Sequence, residues 1–242
     1  MHRVLSLVLA MAVKDDRLMR NPAAGVSLPC VNAAERMYLS HEQVHELAEA
    51  FGSHRLVVLF LAYTGVRFGE MAALRVGRLD LMRRRATIAE SVTLVRGVQT
   101  WGTPKGHERR EVPIPRFLVD DLAAHVAGRE PGALVFTAVK GGALRAQGFQ
   151  RTVLTETAAS LGLKGLHPHA LRHTAASLAI ASGANVKVVQ MLGHKSATMT
   201  LDLYGHLFPN QLDEVADRLD AAARAVVYPL CTWADIIPMS VG

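Results

Sequence analysis

Apolar positions at helical spacing, or in unbroken runs, account for most of the chain. Ser40 and Gln43 have the spacing of a capping box, which predicts a helix from about Ser40. The stretch 54–65 is almost wholly apolar and stops at Gly65, as a buried central helix would. Helices are also predicted over 4–20, 69–80, 116–128, 146–161, 168–182, 185–192, 198–204 and 209–226.

The middle of the chain has a different pattern. Residues 83–90, 91–97 and 109–115 are short, rich in β-branched residues and separated by Gly and Pro, which predicts three antiparallel strands. The predicted fold class is therefore α+β, mostly helical with a small three-stranded antiparallel sheet. There is no repeat and no low-complexity tract.

The first forty residues predict a helix followed by a linker. The start, MHRVLSLVLAMAVKDD, also resembles a secretory signal, with a basic residue before a short apolar run. It is too short to span a membrane, and helical spacing resumes in KDDRLMR, so we favour an amphipathic helix. The stretch NPAAGVSLPCVNAAERM is rich in Pro, Ala and Gly and is typical of a linker.

Composition indicates a folded protein with a polyanionic partner. Half of the 242 residues are hydrophobic, and Cys30 and Cys231 match no metal or redox spacing, as expected for thiols of a reducing cytoplasm. Between Arg55 and Arg116 there are twelve Lys/Arg and five Asp/Glu, a balance of 12 − 5 = +7 in a chain of net charge +6. Such a localised charge is typical of a protein with a polyanionic partner, with nucleic acid the first candidate, although from charge alone a solvated basic face is the better interpretation.

Several short motifs contain candidate site residues. TGVRFGE places Arg67 in the turn after the most apolar helix, with Glu70 three residues on. A guanidinium at this position is paired, or it binds an anion, and the isolated pair does not decide between structure and function.

HPHALRH places His169, Arg172 and His173 one turn apart on a predicted helix, so that all three can point to one place. Two histidines four apart suggest zinc, but Ala170 stands where the metalloprotease pattern needs glutamate. No cysteine or carboxylate completes a ligand set, so we expect no metal. A pair of buried, hydrogen-bonded histidines is the structural alternative.

The last two motifs contain single residues of chemical interest. WGTPKGHERREVPIP places Lys105 at a Gly/Pro-flanked tip between two predicted strands, where most lysines are solvated. LGHKSATMTLDLYGH places Tyr204 ten residues after His194, and that tyrosine is either a core aromatic or a nucleophile.

Together these side chains match the needs of metal-free phosphoryl transfer on a phosphodiester. Arginine forks bind non-bridging oxygens and stabilise the charge of the transition state. Histidine moves protons near neutral pH, lysine protonates a leaving alkoxide, and a tyrosine hydroxyl attacks phosphorus covalently.

The order of the motifs resembles the tyrosine recombinase family, which includes phage integrases and Xer-type recombinases. That family has Arg after a Thr-Gly turn, Lys in a β-hairpin, His-x-x-Arg, Leu-Gly-His, and Tyr ten residues after that His. The resemblance covers roughly 34–226 and implies a catalytic set of Arg67, Lys105, His169, Arg172, His194 and Tyr204.

The resemblance also implies the role of each residue. The arginines would grip the scissile phosphate, His169 would handle the tyrosine proton, and Lys105 would protonate the 5′-hydroxyl leaving group. His194 would brace the phosphate, and Tyr204 would form a 3′-phosphotyrosyl intermediate. Glu70 and His173 would orient these groups.

For the whole protein the resemblance implies site-specific recombination of phage or mobile-element DNA in a bacterial or phage-host cytoplasm. The partners would be double-stranded DNA, other copies of the chain in a tetramer, and accessory DNA-bending or directionality factors. No cofactor or membrane is expected, and the absence of any Gly-Lys dipeptide, and so of a P-loop, fits chemistry without a nucleotide.

In domain terms, 1–33 resemble the end of a core-binding domain plus a linker, 34–226 the catalytic domain, and 227–242 a tail. Family members usually begin with a complete core-binding domain, so a fragment or a truncated gene product is expected. The alternatives are a non-catalytic DNA-binding or regulatory remnant and a relaxing enzyme like the type IB topoisomerases.

Overall fold

The computed structural model describes residues 2–29, 37–104, 109–139, 141–185 and 212–227. It divides into two compact units, Met1–Arg36 and Met37–Gly242. In the first unit, helix α1 (His2–Lys14) ends earlier than the predicted 4–20. The amide of Arg17 donates to the carbonyl of Ala12 over 2.9 Å, and Asp16 takes a left-handed φ of 54°, which closes the helix.

The second unit begins with helices close to their predicted positions. Helix α2 is His41–Ala50, and its Ser40 cap has the predicted capping box with Gln43. Helix α3 is Arg55–Thr64, and α4 is the short Phe68–Ala72. The predicted helix over 69–80 is cut short because the backbone pairs elsewhere: the carbonyl of Leu74 accepts from Val135 over 2.8 Å.

The later helices follow the same pattern. They are α5 (Val119–Val126), α6 (Ala146–Phe149), α7 (Thr155–Ser160), α8 (Pro168–Ala181) and a final helix Leu212–Val227. A π-helical stretch, Gln150–Leu154, joins α6 to α7. The predicted helices 185–192 and 198–204 lie outside the described residues.

Helix α3 is the centre of the core, as its apolar sequence predicts. Its residues from Val57 to Ala62 are all buried, and it packs against α2 and α8. The helix ends at Gly65, whose φ of 64° is left-handed and costs little for glycine. Consequently, the loop that contains Arg67 leaves directly from the most deeply buried helix.

The strands form two sheets, which corrects the prediction of a single one. Strands β1 (Leu79–Asp80), β2 (Arg85–Ile88) and β5 (Arg110–Pro113) form a three-stranded antiparallel sheet in the order β1-β2-β5. Strand β3 (Ser91–Val95) instead pairs with β4 (Val98–Gly102) in a separate hairpin. The α+β fold class is confirmed, but 91–97 do not join the sheet, because the unpredicted β4 satisfies their backbone groups.

Candidate active site

The turn between α3 and α4 places the first candidate arginine. Arg67 has extended backbone angles (φ −71°, ψ 149°), and its side chain is 27% exposed. It stands immediately before α4, two residues after Gly65. The guanidinium therefore lies at the border between the core and solvent, where an anion can reach it.

Glu70 joins two arginines through one buried carboxylate. Its side chain is fully buried. Oε1 accepts from Nη1 of Arg67 over 2.8 Å, and Oε2 accepts from the Arg67 backbone amide over 3.0 Å. Arg110 binds the same carboxylate in a bidentate way: its Nη2 donates to Oε2 over 2.6 Å, and its Nη1 donates to Oε1 over 3.2 Å.

These contacts keep Glu70 ionised. Burial by itself raises the pKa of a carboxyl group, since a charge is poorly solvated in the interior. Here the hydrogen bonds and positive charge of Arg110, with smaller contributions from Arg67, outweigh burial, and the pKa of Glu70 lies below its ordinary 4.5. The cluster thus has two positive charges and one negative charge.

Arg110 is a residue of this cluster that sequence reasoning counted only as part of the basic segment. It is the first residue of β5, where it pairs with Ile88. Arg110, Val112 and Ile114 alternate on one face, and the last two are buried. This alternation was a usable signal, because an arginine in phase with buried strand positions needs an internal partner.

Helix α8 brings the second candidate arginine to the same turn. Arg172 is buried, and its Nη1 donates to the carbonyl of Gly65. The two residues are separated by 107 positions in the sequence. Arg67 and Arg172 are therefore both tied to the short turn that ends α3.

The histidines lie on α8 one turn apart, as predicted. His169 is exposed and His173 half-buried, and their ring centroids are 4.7 Å apart in an edge-to-face arrangement. His167 caps the helix, with its Nδ1 accepting from the Ala170 amide over 3.0 Å. One helix thus presents Arg172 and two histidines close to each other.

Three candidates, Lys105, His194 and Tyr204, lie outside the described residues. The segment with Lys105 follows β4 of the hairpin and precedes β5 of the three-stranded sheet. The described strands that flank this segment in the sequence, β4 and β5, belong to different sheets. Of the eight predicted site residues, the structure describes five: Arg67, Glu70, His169, Arg172 and His173.

A cleft of about 340 Å³ opens beside Arg67. One wall is the start of α4, a second is the β3–β4 hairpin, and a third is the N-terminal end of α6 with the exposed Arg145. Ser91, Thr93, Gln99 and Gln147 add neutral polar groups to its lining. The lining also includes Phe68, Val92, Leu94 and Leu144, so the cleft combines two guanidiniums with an extensive apolar wall.

The described residues also bear on metals and membranes. Within the described ranges, no group of three or more His, Cys, Asp or Glu is placed to hold a metal ion. In the same part of the chain, no helix has both the length and the apolarity needed to cross a membrane. What the described site offers is positive charge at the α3–α4 turn and imidazoles on α8.

Comparison with known proteins gives consistent similarities. The sequence model of the Phage integrase family matches residues 37–211. The chain is 32% identical to tyrosine recombinase XerC of Corynebacterium efficiens over 163 residues, which is 65% of the chain and 47% of that protein. It is 30% identical to an integrase of Mycobacterium phage FRAT1 over 237 residues, which is 92% of the chain and 69% of that protein.

Among solved structures, the Tn1549 transposon integrase in complex with transposon right end DNA has the same fold. The TM-score is 0.74 at 21% identity, over 92% of this chain and 78% of that one. The chain spans about half (47%) of the XerC relative's length and 62% of a XerC-like protein of Caldanaerobacter subterraneus.

Proposed function

The chain belongs to the phage integrase family, and on that basis we propose that it cleaves and rejoins DNA strands at specific sites. The substrate is double-stranded DNA. The reaction is a transesterification through a 3′-phosphotyrosyl intermediate, with residues 34–226 as the catalytic region. The biological role is integration or excision of phage or mobile-element DNA in a bacterial cell.

In the proposed reaction, the hydroxyl oxygen of Tyr204 attacks the scissile phosphorus. Its proton passes to His169, and the bond from phosphorus to the 5′ oxygen breaks as the tyrosyl ester forms. Lys105 protonates the leaving 5′ oxygen. Because one phosphodiester replaces another, the step needs no nucleotide, and attack by a different 5′ hydroxyl rejoins the strands.

Arg67 and Arg172 bind the non-bridging oxygens and stabilise the added charge of the transition state. The observation that carries the proposal is the common anchoring of these two arginines. The α3–α4 turn holds Arg67 beside Glu70, and the carbonyl of Gly65 in that turn accepts from Arg172. A phosphate at this turn would meet both guanidiniums, with His169 and His173 on the adjoining helix.

We also propose that the chain acts as a homo-oligomer on DNA, with a tetramer at the synapse. The final helix, Leu212–Val227, supports this proposal. Among its residues with described burial, every one is exposed, including Leu219 at 65%. A second copy would cover this side chain.

The first prediction tests the chemistry without knowledge of the target site. The full chain is incubated with nicked duplexes whose sequence around the nick is randomised, and protein–DNA adducts that survive denaturation are recovered and sequenced. A nick a few nucleotides from the scissile phosphate makes the released strand, which ends in the 5′ hydroxyl, short enough to diffuse away. Without that hydroxyl the strand cannot be rejoined, so the covalent intermediate is trapped. We expect an enriched sequence, and we expect Tyr204→Phe to abolish the adduct, because phenylalanine has no nucleophilic oxygen.

Tyr63→Phe is the matched control, since Tyr63 bonds to His41 and takes no part in the proposed chemistry. Recovery of the same adducts with Tyr204→Phe would refute the proposed nucleophile. DNA binding without any adduct from the unaltered chain would favour a non-catalytic DNA-binding protein. Adducts that relax supercoils but never join to a second duplex would favour a topoisomerase.

A further inference from the structure

Arg110 contributes to the candidate site through Glu70. Its two terminal nitrogens hold both oxygens of a buried carboxylate whose Oε1 also binds Arg67. The Arg110 side chain is 18% exposed, so most of this contact is shielded from water. Shielded, bidentate ion pairs fix both the position and the orientation of the carboxylate.

The arrangement has a cost that packing alone does not explain. The Nε of Arg110 is buried and has no hydrogen-bond partner among the residues that the structure describes. A buried donor without a partner destabilises the folded state. An apolar side chain in phase with Val112 and Ile114 would avoid that cost, so the arginine contributes something that the core does not need.

Charge indicates what that contribution is. If Glu70 paired with Arg67 alone, the pair would be neutral and would attract a phosphate weakly. Arg110 adds a second positive charge and leaves the three-residue cluster at +1. Its fork also fixes the carboxylate, so that Oε1 meets Nη1 of Arg67 while Oε2 meets the Arg67 backbone amide.

We propose that Arg110 is a positioning residue for strand cleavage, acting through Glu70 to hold Arg67 on the scissile phosphate and to keep the cluster positively charged. This inference rests on the proposed function. It assigns β5 a role in the site, because the strand that begins at Arg110 is thereby fastened to the turn that presents Arg67. Arg110 itself does not touch DNA in this role.

The second prediction compares cleavage rates at saturating DNA, using the full chain and a duplex recovered as above. Arg110→Met is expected to form the covalent adduct about 100-fold more slowly, the loss typical of a slightly misplaced reacting group. A second duplex has a methylphosphonate at the scissile position, which removes one negative charge. There the deficit is expected to shrink strongly, because Arg67 has less charge to stabilise.

Two further variants separate positioning from folding. In a Glu70→Gln background, Arg110→Met is expected to cause little additional loss of rate, because its route to Arg67 is already removed. Arg129→Met is the control, because it also removes a half-buried arginine. The guanidinium of Arg129 donates to the carbonyl of Val135. The substitution is expected to lower thermal stability and leave the adduct rate unchanged.

Three results would overturn the inference: an unchanged rate in folded Arg110→Met, equal deficits on both duplexes, or the same loss in the Glu70→Gln background. If Arg110→Met does not fold, Arg110→Lys replaces it. Lysine keeps the charge but cannot hold both oxygens, so its deficit must also shrink on the methylphosphonate. An unaltered chain that traps no duplex would instead refute the proposed function itself, which separates the two failures.

Discussion

At the scale of single residues, Glu70 organises the described part of the site. A buried carboxylate is costly by itself, and here two guanidiniums and one backbone amide stabilise it. The same contacts orient Arg67. Stability and the proposed function would therefore both depend on the ionised state of Glu70.

The third prediction follows from the lowered pKa of Glu70. A carboxyl group whose pKa is lower in the folded than in the unfolded state stabilises the fold above its unfolded pKa. That stabilisation is lost as the pH falls through the folded value, which for Glu70 lies below 4.5. Glu70→Gln is expected to lose about 3 kcal/mol of unfolding free energy at neutral pH, as for a broken buried ion pair.

Denaturant unfolding of both proteins from pH 7 to pH 3 measures this difference, over a range that brackets the titration of an ordinary carboxyl group at about 4. The gap between them is expected to start narrowing near the ordinary 4.5, where the carboxyl group of the unfolded chain binds a proton, and to close only below the lower pKa of folded Glu70. Glu42→Gln is the control, because Glu42 is exposed and its lowered pKa comes mainly from the Ser40 hydroxyl. A gap that stays constant down to the acid limit would show that Glu70 does not titrate as its contacts imply.

The sequence predicted the motif residues of this site and missed Arg110. Arg67 and Glu70 are three residues apart, and His169 and Arg172 share a helix, so their proximity follows from backbone geometry. Arg110 reaches Glu70 only through strand pairing across 40 positions. The role of Arg110 becomes clear once it is known which side chains of β5 face the core.

At the scale of elements, the close contact between α4 and β3 fixes the position of α4 and of the site residues on it. A β-carbon on Gly69 would lie 2.4 Å from the carbonyl oxygen of Val92, closer than side chains pack. Helix α4 can therefore approach the hairpin only because residue 69 is glycine. Arg67 and Glu70 lie within two residues of that glycine, so a displacement of α4 would displace them too.

The fourth prediction is that Gly69→Ala destabilises the protein by about 1–3 kcal/mol, the usual cost of overpacking, despite the better helix propensity of alanine. The displacement of α4 is also expected to slow adduct formation. Gly148→Ala is the matched control, since a β-carbon on this helical glycine would meet nothing closer than 3.9 Å. Thermal unfolding and the adduct assay on both variants check this, and equal stabilities would refute the close contact.

The helices were predictable to within a few residues where the local signals were unambiguous. Ser40 and Gln43 fixed the start of α2, and Gly65 fixed the end of α3. Strand pairing was not predictable in the same way, because β4 has the sequence VQTWG, which lacks a clear apolar alternation. Because β4 was not predicted, the only strands available to pair with 91–97 were those of the three-stranded sheet.

At the scale of the whole molecule, the basic segment divides into two kinds of arginine. Some of its arginines are held internally. Arg75 donates to Glu90 over 3.0 Å and lies over the ring of Trp101, and Arg67 and Arg110 share Glu70. Others are exposed: Arg83, Arg84, Arg85, Arg96, Arg109 and Arg116. Net charge therefore overstates the number of groups available to a phosphate backbone.

The fifth prediction concerns how this division affects DNA binding. Each arginine that neutralises a phosphate releases counterions. The logarithm of the affinity therefore falls linearly with the logarithm of the salt concentration, with a slope of about −0.9 per phosphate contact. Arg109 is exposed and immediately follows the segment that contains Lys105, so Arg109→Gln is expected to make the slope shallower by about 0.9. Arg75→Gln removes the same charge from an arginine that is already paired, and is expected to leave the slope unchanged. Titration of duplex DNA at several salt concentrations measures both, and equal changes in the two variants would show that binding follows net charge rather than exposed guanidiniums.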